Sequence, residues 1–367
     1  MKILFVIPTL GQGGAQRVLV NLANTLSQSG AHEVAIATFA SDVKAPHHQP
    51  DAGVTVYYLN GISGTSAPLI GLIRCFKGLR KRVRQLNPEV VVAFQDIANF
   101  PTILACAGTG ARLTVSERQD TRYYRFAAVR GFLRRCFYRY ADTVVVQTEL
   151  VRRQMPDGIL HKTVVIPNPI PNYSLQASSG ESQDGSFQAL SVGRLAPQKN
   201  LPLLIDAAAI VLKRRPDWSL TIFGEGTLRD VLQQQINDHA MEDRIFLAGV
   251  TDDVYACMAD AHLFVLPSKY EGFPNVLAEA ATIGLPCIAY DDVSGVPELI
   301  EHDRSGVLLT ASQRTDVDLA NAMALLMDSA VLRNSMGQAA RQRVQRFSRN
   351  VVLSNWTKVL GLPELKY

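Results

Sequence analysis

Two glutamates eight positions apart, Glu271 and Glu279, bracket the segment Glu271-Gly272-Phe273-Pro274-Asn275-Val276-Leu277-Ala278-Glu279-Ala280. The segment follows Leu266-Pro267-Ser268, where an apolar run that reads as a strand ends. Gly272 to Asn275 would then place several free backbone N–H groups at a helix start, facing an interdomain cleft. Asn275 and Val276 fall in the first turn, where an anion is best stabilised. Glu279 lies one turn further in and could accept hydrogen bonds from a diol. Glu271 precedes the helix and could face a neutral polyhydroxyl group. The alternative is a capped amphipathic helix with two ordinary carboxylates. The coincidence of loop, helix start and spacing outweighs it.

Three glycine-bearing loops also follow strand-like runs. Val192-Gly193-Arg194-Leu195-Ala196-Pro197-Gln198-Lys199-Asn200 carries two cations on one loop. Arg194 offers a bidentate fork and Lys199 a point charge, a pair suited to a diphosphate. The alternative is two solvated surface cations. Gly224-Glu225-Gly226 could let a ligand approach the backbone, or could be a turn that needs positive φ. Gly11-Gln12-Gly13-Gly14-Ala15 precedes a helix, whose N-terminus favours anions. A plain strand-to-helix turn explains it equally well. It is not the GxGxxG fingerprint, and no acidic residue ends the second strand, which argues against a nicotinamide dehydrogenase.

The elements that must position these residues alternate along the whole chain. Strands are expected at Ile3–Ile7, Glu33–Phe39, Val54–Tyr58, Val90–Phe94, Arg112–Ser116, Thr143–Gln147 and Thr163–Ile166. A second set is expected at Phe187–Val192, Ser219–Phe223, Arg244–Leu247, His262–Leu266, Pro286–Ala289 and Gly306–Leu308. Helices fall between, among them Ala15–Ser29, Leu69–Leu86, Ala127–Tyr140, Leu201–Arg214, Thr227–His239 and Pro274–Ile283. A last helical stretch runs from about Arg343 to Leu360. Continuous apolar runs alternating with helices indicate an α/β fold of doubly wound parallel sheets. The 367 residues suit two such domains. Pro167-Asn168-Pro169-Ile170-Pro171, followed by a polar tract to Gly185, reads as the hinge between them.

Composition narrows the class further. Residues 1–168 carry 20 Lys and Arg against 10 Asp and Glu, and the rest carry 17 against 23. The modest net charge of +4 therefore hides a basic front half and a mildly acidic back half. Five scattered cysteines with no CxxC pair support neither a zinc ribbon nor a disulfide framework, and fit reduced thiols in the cytosol. No run of 18 apolar residues suggests a spanning helix. The start MKILFVIPTL meets Gly11 too soon for a secretory signal and reads as a buried first strand.

On these residues the chain resembles the family 4 glycosyltransferases, retaining enzymes of GT-B fold with two Rossmann-like domains facing each other across a cleft. Glu271 and Glu279 match that family's motif of a Glu, seven residues and a Glu. The Gly13-Gly14-Ala15 loop, Gly193-Arg194 with Lys199, Gly224-Glu225-Gly226, and Gly295-Val296-Pro297-Glu298 followed by Gly306 fall in the family's order. The resemblance covers essentially the whole chain. It implies an acceptor-binding domain over 1–170, a linker over 171–186 and a nucleotide-sugar domain over 187–345. A C-terminal helix within 346–367 would pack back on the first domain.

The resemblance also assigns roles. Arg194 and Lys199 would hold the donor diphosphate and stabilise the leaving group. Glu279 would bind the ribose hydroxyls. Glu271, with the amides of Gly272, Phe273 and Asn275 and the neighbouring Val276, would hold the transferred sugar and a phosphate. Gly193 and Gly224 would line the donor site, while Gly13 and Gly14 would let the front domain close over it. No cofactor and no metal are expected, because cations and a helix N-terminus replace the metal. Asp316-Val317-Asp318 reads accordingly as a helix cap. One departure stands out. Many members place a His after the strand that here ends at Ser116, where this chain has Glu117-Arg118. Arg118 could contact the sugar or a phosphate in catalysis, with Glu117 orienting it, or the two could form a structural ion pair.

The donor expected is a UDP-sugar, a hexose or N-acetylhexosamine, and the acceptor a polyprenyl-diphosphate-linked saccharide. The basic front supplies a surface for anionic lipid. On 69–86, Leu72, Phe76, Leu79, Val83 and Leu86 form a stripe beside Arg74, Lys77, Arg80, Lys81 and Arg84. Arg122, Arg125, Arg130, Arg134, Arg135 and Arg139 are interleaved with Tyr123, Tyr124, Phe126, Phe132 and Phe137. Such a surface could rest on the inner face of the cytoplasmic membrane, or be a solvated helix face. It could also bind single-stranded nucleic acid, but no recognised module supports that partner. A nucleotide-sugar epimerase of the same fold and a non-enzymatic lipid- or nucleic-acid-binding protein are the competing functions.

Overall fold

The central apolar runs become strands whose two faces are both covered. In β1 (Lys2–Ile7), Ile3, Phe5 and Ile7 enter one core and Leu4 and Val6 another, the period-2 alternation of a sheet buried on both sides. The computed structural model describes residues 1–11, 13–40, 48–59, 68–123, 127–171, 173–177 and 185–363. The chain divides into two units, Met1–Pro169 with Asn350–Tyr367, and Ile170–Arg349.

In the first unit β1 leads to α1 (Gly14–Gln28), β2 (Glu33–Thr38), β3 (Val54–Tyr58), α2 (Pro68–Leu86) and β4 (Val90–Phe94). There follow α3 (Asp96–Cys106), β5 (Arg112–Ser116), α4 (Ala127–Phe137), β6 (Thr143–Val146), the short α5 (Glu149–Arg153) and α6 (Asp157–Leu160), and β7 (Thr163–Val165). The strands form one parallel sheet in the order β3-β2-β1-β4-β5-β6-β7. The order reverses direction between β1 and β4.

The second unit repeats the plan with β8 (Phe187–Val192), α7 (Leu201–Leu212), β9 (Trp218–Phe223), α8 (Arg229–Asp238) and β10 (Ile245–Gly249). It continues through α9 (Val254–Ala259), β11 (Leu263–Val265), α10 (Asn275–Ile283), β12 (Cys287–Tyr290), α11 (Val296–Leu299), β13 (Gly306–Leu309), α12 (Asp316–Met327) and α13 (Ala330–Val344). Its parallel sheet runs β10-β9-β8-β11-β12-β13, with the reversal between β8 and β11. The α/β class with parallel sheets is as expected from the sequence.

The last helix, α14 (Arg349–Leu360), counts with the first unit. Its Trp356 is wholly buried and stacks on Phe94 at 5.4 Å between ring centroids. The single stretch expected from Arg343 is in fact broken. α13 ends at Val344, a 3-10 turn spans Gln345–Phe347, and Ser348 lies extended before α14. The expected hinge tract is partly structured: Tyr173 stacks on Tyr255 at 3.6 Å and the Ala177 amide donates to the Ile283 carbonyl. Residues 178–184 of that tract, Gln12 of the first glycine loop, and Tyr124, Arg125 and Phe126 lie outside the described residues.

Candidate active site

Ligands of open α/β sheets bind beyond the carboxyl ends of the strands, where the strand order reverses. In the second unit that place is flanked by the loops after β8 and β11. The first carries Gly193, Arg194 and Lys199, and the second Glu271 and the start of α10. Two motifs more than seventy residues apart are thus brought together by sheet topology.

The contacts between these loops are specific. Lys199 Nζ lies 2.6 Å from Glu271 Oε1, and the same oxygen accepts from Ser268 Oγ at 2.7 Å. Gln198 Nε2 donates to the Tyr270 carbonyl at 2.8 Å and to Glu271 Oε2 at 3.3 Å. The Lys269 amide returns a hydrogen bond to the Gln198 carbonyl at 2.9 Å. Both oxygens of a nearly buried carboxylate are therefore held in one orientation. Arg194 is left exposed, and its guanidinium has no hydrogen bond or ion pair among the described residues. One cation of the pair is committed to Glu271 and the other is available to an anion.

The loop after β9 supports the first. Gly224, at φ +136°, lies so close that a Cβ there would stand 2.0 Å from the Gly193 carbonyl oxygen. Leu195 N–H donates to Glu225 O at 3.0 Å, so the two loops run against each other backbone to backbone. Gly295, at φ +85°, serves the Glu271 loop in the same way. Its Cβ would stand 2.6 Å from Pro274 Cδ, and Ser294 Oγ donates to the Gly272 carbonyl at 3.0 Å.

At the head of α10 one expectation needs correcting. The Asn275 amide is not free, because it donates to the Phe273 carbonyl at 2.9 Å. The amides of Gly272, Phe273 and Val276 have no acceptor among the described residues. Phe273 contributes only its backbone to this site, for its ring is buried edge-on to Phe347. Glu279 lies one turn into α10 and is buried, with 5% of its surface exposed. Asp316 and Asp318 fall in the first turn of α12, whose cap is Thr315: its Oγ1 accepts from the Asp318 amide at 3.1 Å. Among the described residues no three His, Cys, Asp or Glu side chains group as a metal site.

The first unit holds Gly13, Gly14 and Arg118. Gly13 caps α1 with no side-chain hydrogen bond, and Gly14 begins the helix. Arg118 follows β5 and is buried, its guanidinium donating to Asn168 Oδ1 and lying 5.0 Å from the Phe94 ring centroid. Its Nε is buried without a partner, and burial pulls its pKa down to about 9. The Glu117–Arg118 ion pair considered above does not form. Glu117 accepts instead from Arg134 Nε at 2.9 Å and from the Tyr138 hydroxyl. Beside it Asp96 pairs with Arg130 at 2.6 Å, yet burial and then Glu117 push its pKa up to about 6.

This cluster also revises the basic surface. Arg122, Arg130 and Arg134 are engaged by Asp120, Asp96 and Glu117. Arg80 donates to the carbonyls of Leu104, Ala105 and Ala107 and so closes the end of α3. Leu79 and Val83 of the α2 stripe are core residues. What faces solvent is Arg74, Lys77, Lys81 and Arg84 on α2, and Val129, Phe132, Arg135, Arg139 and Tyr140 on and after α4.

Sequence patterns missed Gln198, Ser268 and the Asp96–Arg130 pair. The first two are short uncharged side chains that matter only because a distant loop folds against them. Asp96 opens α3, a helix with Pro101 inside it that the periodicity did not reveal.

Two parallel doubly wound units, of seven and six strands, are the architecture of the GT-B class. Residues 12–172 match the family described as Glycosyltransferase Family 4, and residues 175–343 match Glycosyl transferases group 1. The chain belongs to this glycosyltransferase family, in its family 4 branch. A curated relative is the GalNAc-alpha-(1->4)-GalNAc-alpha-(1->3)-diNAcBac-PP-undecaprenol alpha-1,4-N-acetyl-D-galactosaminyltransferase of Campylobacter jejuni, 26% identical over 98% of each chain. Another is the amylovoran biosynthesis glycosyltransferase AmsD of Erwinia amylovora, 28% identical over 98% of this chain and 99% of that one. Among solved structures, Anabaena Alr3699/HepE in complex with UDP superposes with a TM-score of 0.81 at 21% identity, covering 98% of this chain and all of that one. That likeness shows the fold, which is GT-B.

Proposed function

We propose that this glycosyltransferase moves a hexose or N-acetylhexosamine from a UDP-sugar to a hydroxyl of a polyprenyl-diphosphate-linked saccharide, with retention of configuration, in bacterial surface glycan assembly. The observation that carries the donor half is the pairing of the Arg194/Lys199 loop with the Glu271 loop across the β8–β11 reversal. The acceptor half is supported by the names of the full-length relatives, one of which specifies an undecaprenol-linked saccharide.

Charge builds on the diphosphate as the sugar–phosphate bond breaks. The amides of Gly272, Phe273 and Val276 are donors fixed by the backbone, Arg194 is the uncommitted cation beside them, and Lys199 keeps two further N–H donors while it pairs with Glu271. Glu279 takes the ribose hydroxyls, and Glu271 takes hydroxyls of the sugar. Glu271 is a poor candidate for a covalent nucleophile, because both its oxygens already accept hydrogen bonds. The acceptor hydroxyl therefore attacks from the face the diphosphate leaves, and a departing phosphate oxygen takes its proton. Within the first unit, Arg118 is assigned to a sugar or phosphate group, and Gly13 and Gly14 to a phosphate approaching the N-terminus of α1. No metal is required where these cations and amides face the diphosphate.

The first unit, with Asn350–Tyr367, carries 22 Lys and Arg against 11 Asp and Glu. With Phe132 and Tyr140 each 65% exposed beside Arg135 and Arg139, it suits peripheral attachment to the anionic inner face of the cytoplasmic membrane. Among the described residues no helix is long and apolar enough to cross a membrane.

The test is a thermal-shift screen of nucleotide sugars, followed by transfer to a short polyprenyl-diphosphate saccharide with Arg194→Ala and Glu279→Ala. Transfer lost in both folded variants supports the assignment; unchanged rates in both refute it. Donor consumed without acceptor to give an epimer would identify the competing reaction.

A further inference from the structure

Arg314 belongs to no motif of the donor site, yet it grips the base of the Glu271 loop. It sits between β13 and α12, in a link fixed at both ends by caps. Thr310 and Gln313 bond reciprocally before it, and Thr315 caps α12 after it. Its Nη1 donates to the Ser268 carbonyl at 2.8 Å, and its Nη2 meets Asp292 Oδ1 at 2.5 Å. The guanidinium lies 3.9 Å from the Tyr290 ring centroid, which limits its rotation. Ser268 is wholly buried, and its hydroxyl donates to the Glu271 oxygen that Lys199 also reaches.

We propose that Arg314 is a positioning residue for Glu271, acting through Ser268 to hold the carboxylate where the transferred sugar binds. The inference rests on the donor site described above. The chain of contacts runs Asp292–Arg314–Ser268–Glu271–Lys199, and Arg314 itself touches neither Glu271 nor Lys199. The planar fork is what the place requires. One arm holds the loop after β11 and the other the loop after β12, so neighbouring strand ends are tied together. A lysine offers a point charge and cannot hold both in a fixed plane. Only two residues separate Ser268 from Glu271, so a displaced Ser268 carbonyl carries the carboxylate with it. The loop bearing Arg194 has no bond to Arg314 and keeps its own support from Gly224. Arg314 therefore bears first on the sugar end of the donor and reaches the diphosphate end only indirectly, through the contacts of Gln198 and Lys199 with the Glu271 loop.

Calorimetry on the full chain tests this with UDP and with UDP-glucose, UDP-galactose, UDP-N-acetylglucosamine and UDP-N-acetylgalactosamine as probes. If the wild type binds none of them, or Glu271→Gln leaves sugar-nucleotide affinity unchanged, the donor-site reading fails and this proposal with it. With those controls met, Arg314→Ala is expected to keep UDP affinity within about twofold and to lower sugar-nucleotide affinity about tenfold, the scale of one charge-assisted hydrogen bond. Arg314→Lys should recover about a third of that loss. In the Glu271→Gln background, Arg314→Ala should cost less than about twofold more, the non-additivity of residues acting as one unit. Equal weakening of UDP and sugar nucleotide, or an equal cost in both backgrounds, overturns the proposal. Should Arg314→Ala fail to fold, Arg314→Lys and Arg314→Gln carry the same comparison.

Discussion

Replacing Gly224 by alanine tests whether the close approach of two loops places the diphosphate-binding cations. A Cβ on Gly224 would stand 2.0 Å from the Gly193 carbonyl oxygen and 2.8 Å from its carbonyl carbon. Both neighbours are backbone and cannot rotate aside, so the Gly193–Lys199 loop must retreat by about 1 Å to reach a tolerable contact. The native φ of +136° adds strain for any side chain. Backbone strain of about 1–3 kcal/mol and overpacking of about 1–3 kcal/mol combine to about 4 kcal/mol. For a unit of this size that lowers the melting temperature by about 10 °C.

The functional cost follows from the same displacement. A 1 Å error in a positioning group can cost about 100-fold in rate, so transfer by folded Gly224→Ala, assayed at 15 °C, should fall by about that factor. UDP affinity should fall with it, because Arg194 moves with the loop. Gly30→Ala is the matched control: its φ is +67° but a Cβ would meet nothing within 4 Å. It should lose about 1–2 kcal/mol from its left-handed backbone and leave turnover unchanged. A Gly224→Ala enzyme with wild-type melting and wild-type transfer would refute the reasoning. One that melts low but transfers normally would show that the loop's position does not matter to the chemistry.

Arg118→Met should raise the melting temperature by a few degrees while lowering transfer. A buried guanidinium whose pKa is pulled down to about 9 destabilises the folded state at neutral pH, and a lower melting point would assign Arg118 a structural role. Asp96 gives a pH signature, since its folded pKa of about 6 exceeds the ordinary 3.8. The stability it confers is complete below about pH 4 and is lost as pH rises through 6. Relative to Asp96→Asn, the wild type should therefore gain about 1.4 kcal/mol per pH unit on descending from 6 to 4, and parallel denaturation curves would contradict this. Binding to phosphatidylglycerol vesicles should weaken with added salt and fall at least about 30-fold in an Arg135→Glu, Arg139→Glu variant, the two basic residues being worth about 1 kcal/mol each near the surface. Retention at the wild-type level would exclude that face. Transfer should survive EDTA; its loss, restored by magnesium, would show that the cations do not suffice.

The strands were legible because burial on both faces leaves an unmistakable pattern. β4 and β5, buried along nearly their whole length, begin and end where the apolar runs do. Helices without a clean apolar stripe were not legible. α3 carries a proline and is buried on most sides, and α13 is polar on several faces yet buries Arg333. Of the candidate site, charged and glycine residues announced themselves. Gln198, Ser268 and, although charged, Arg314 did not, because their significance lies in contacts between loops that only the folded sheet brings together.

The division of charge takes on a different meaning once contacts are known. The second unit holds 15 Lys and Arg against 22 Asp and Glu, which by itself would repel a diphosphate. Local arrangement overrides that sum. Screening fades the unit's distant carboxylates over about 10 Å, while under the proposed assignment Arg194 and the amides of Gly272, Phe273 and Val276 would meet the diphosphate at contact distance. Glu271 is already paired with Lys199. In the first unit the reverse holds: several of its arginines answer buried carboxylates, so the count overstates the charge available to a membrane. Of the two basic stretches, Arg135 and Arg139 with Arg74, Lys77, Lys81 and Arg84 are exposed and held by no carboxylate among the described residues. A lipid-binding defect should therefore map to those exposed positions, and substitution of Arg130 or Arg134 should show itself in stability instead.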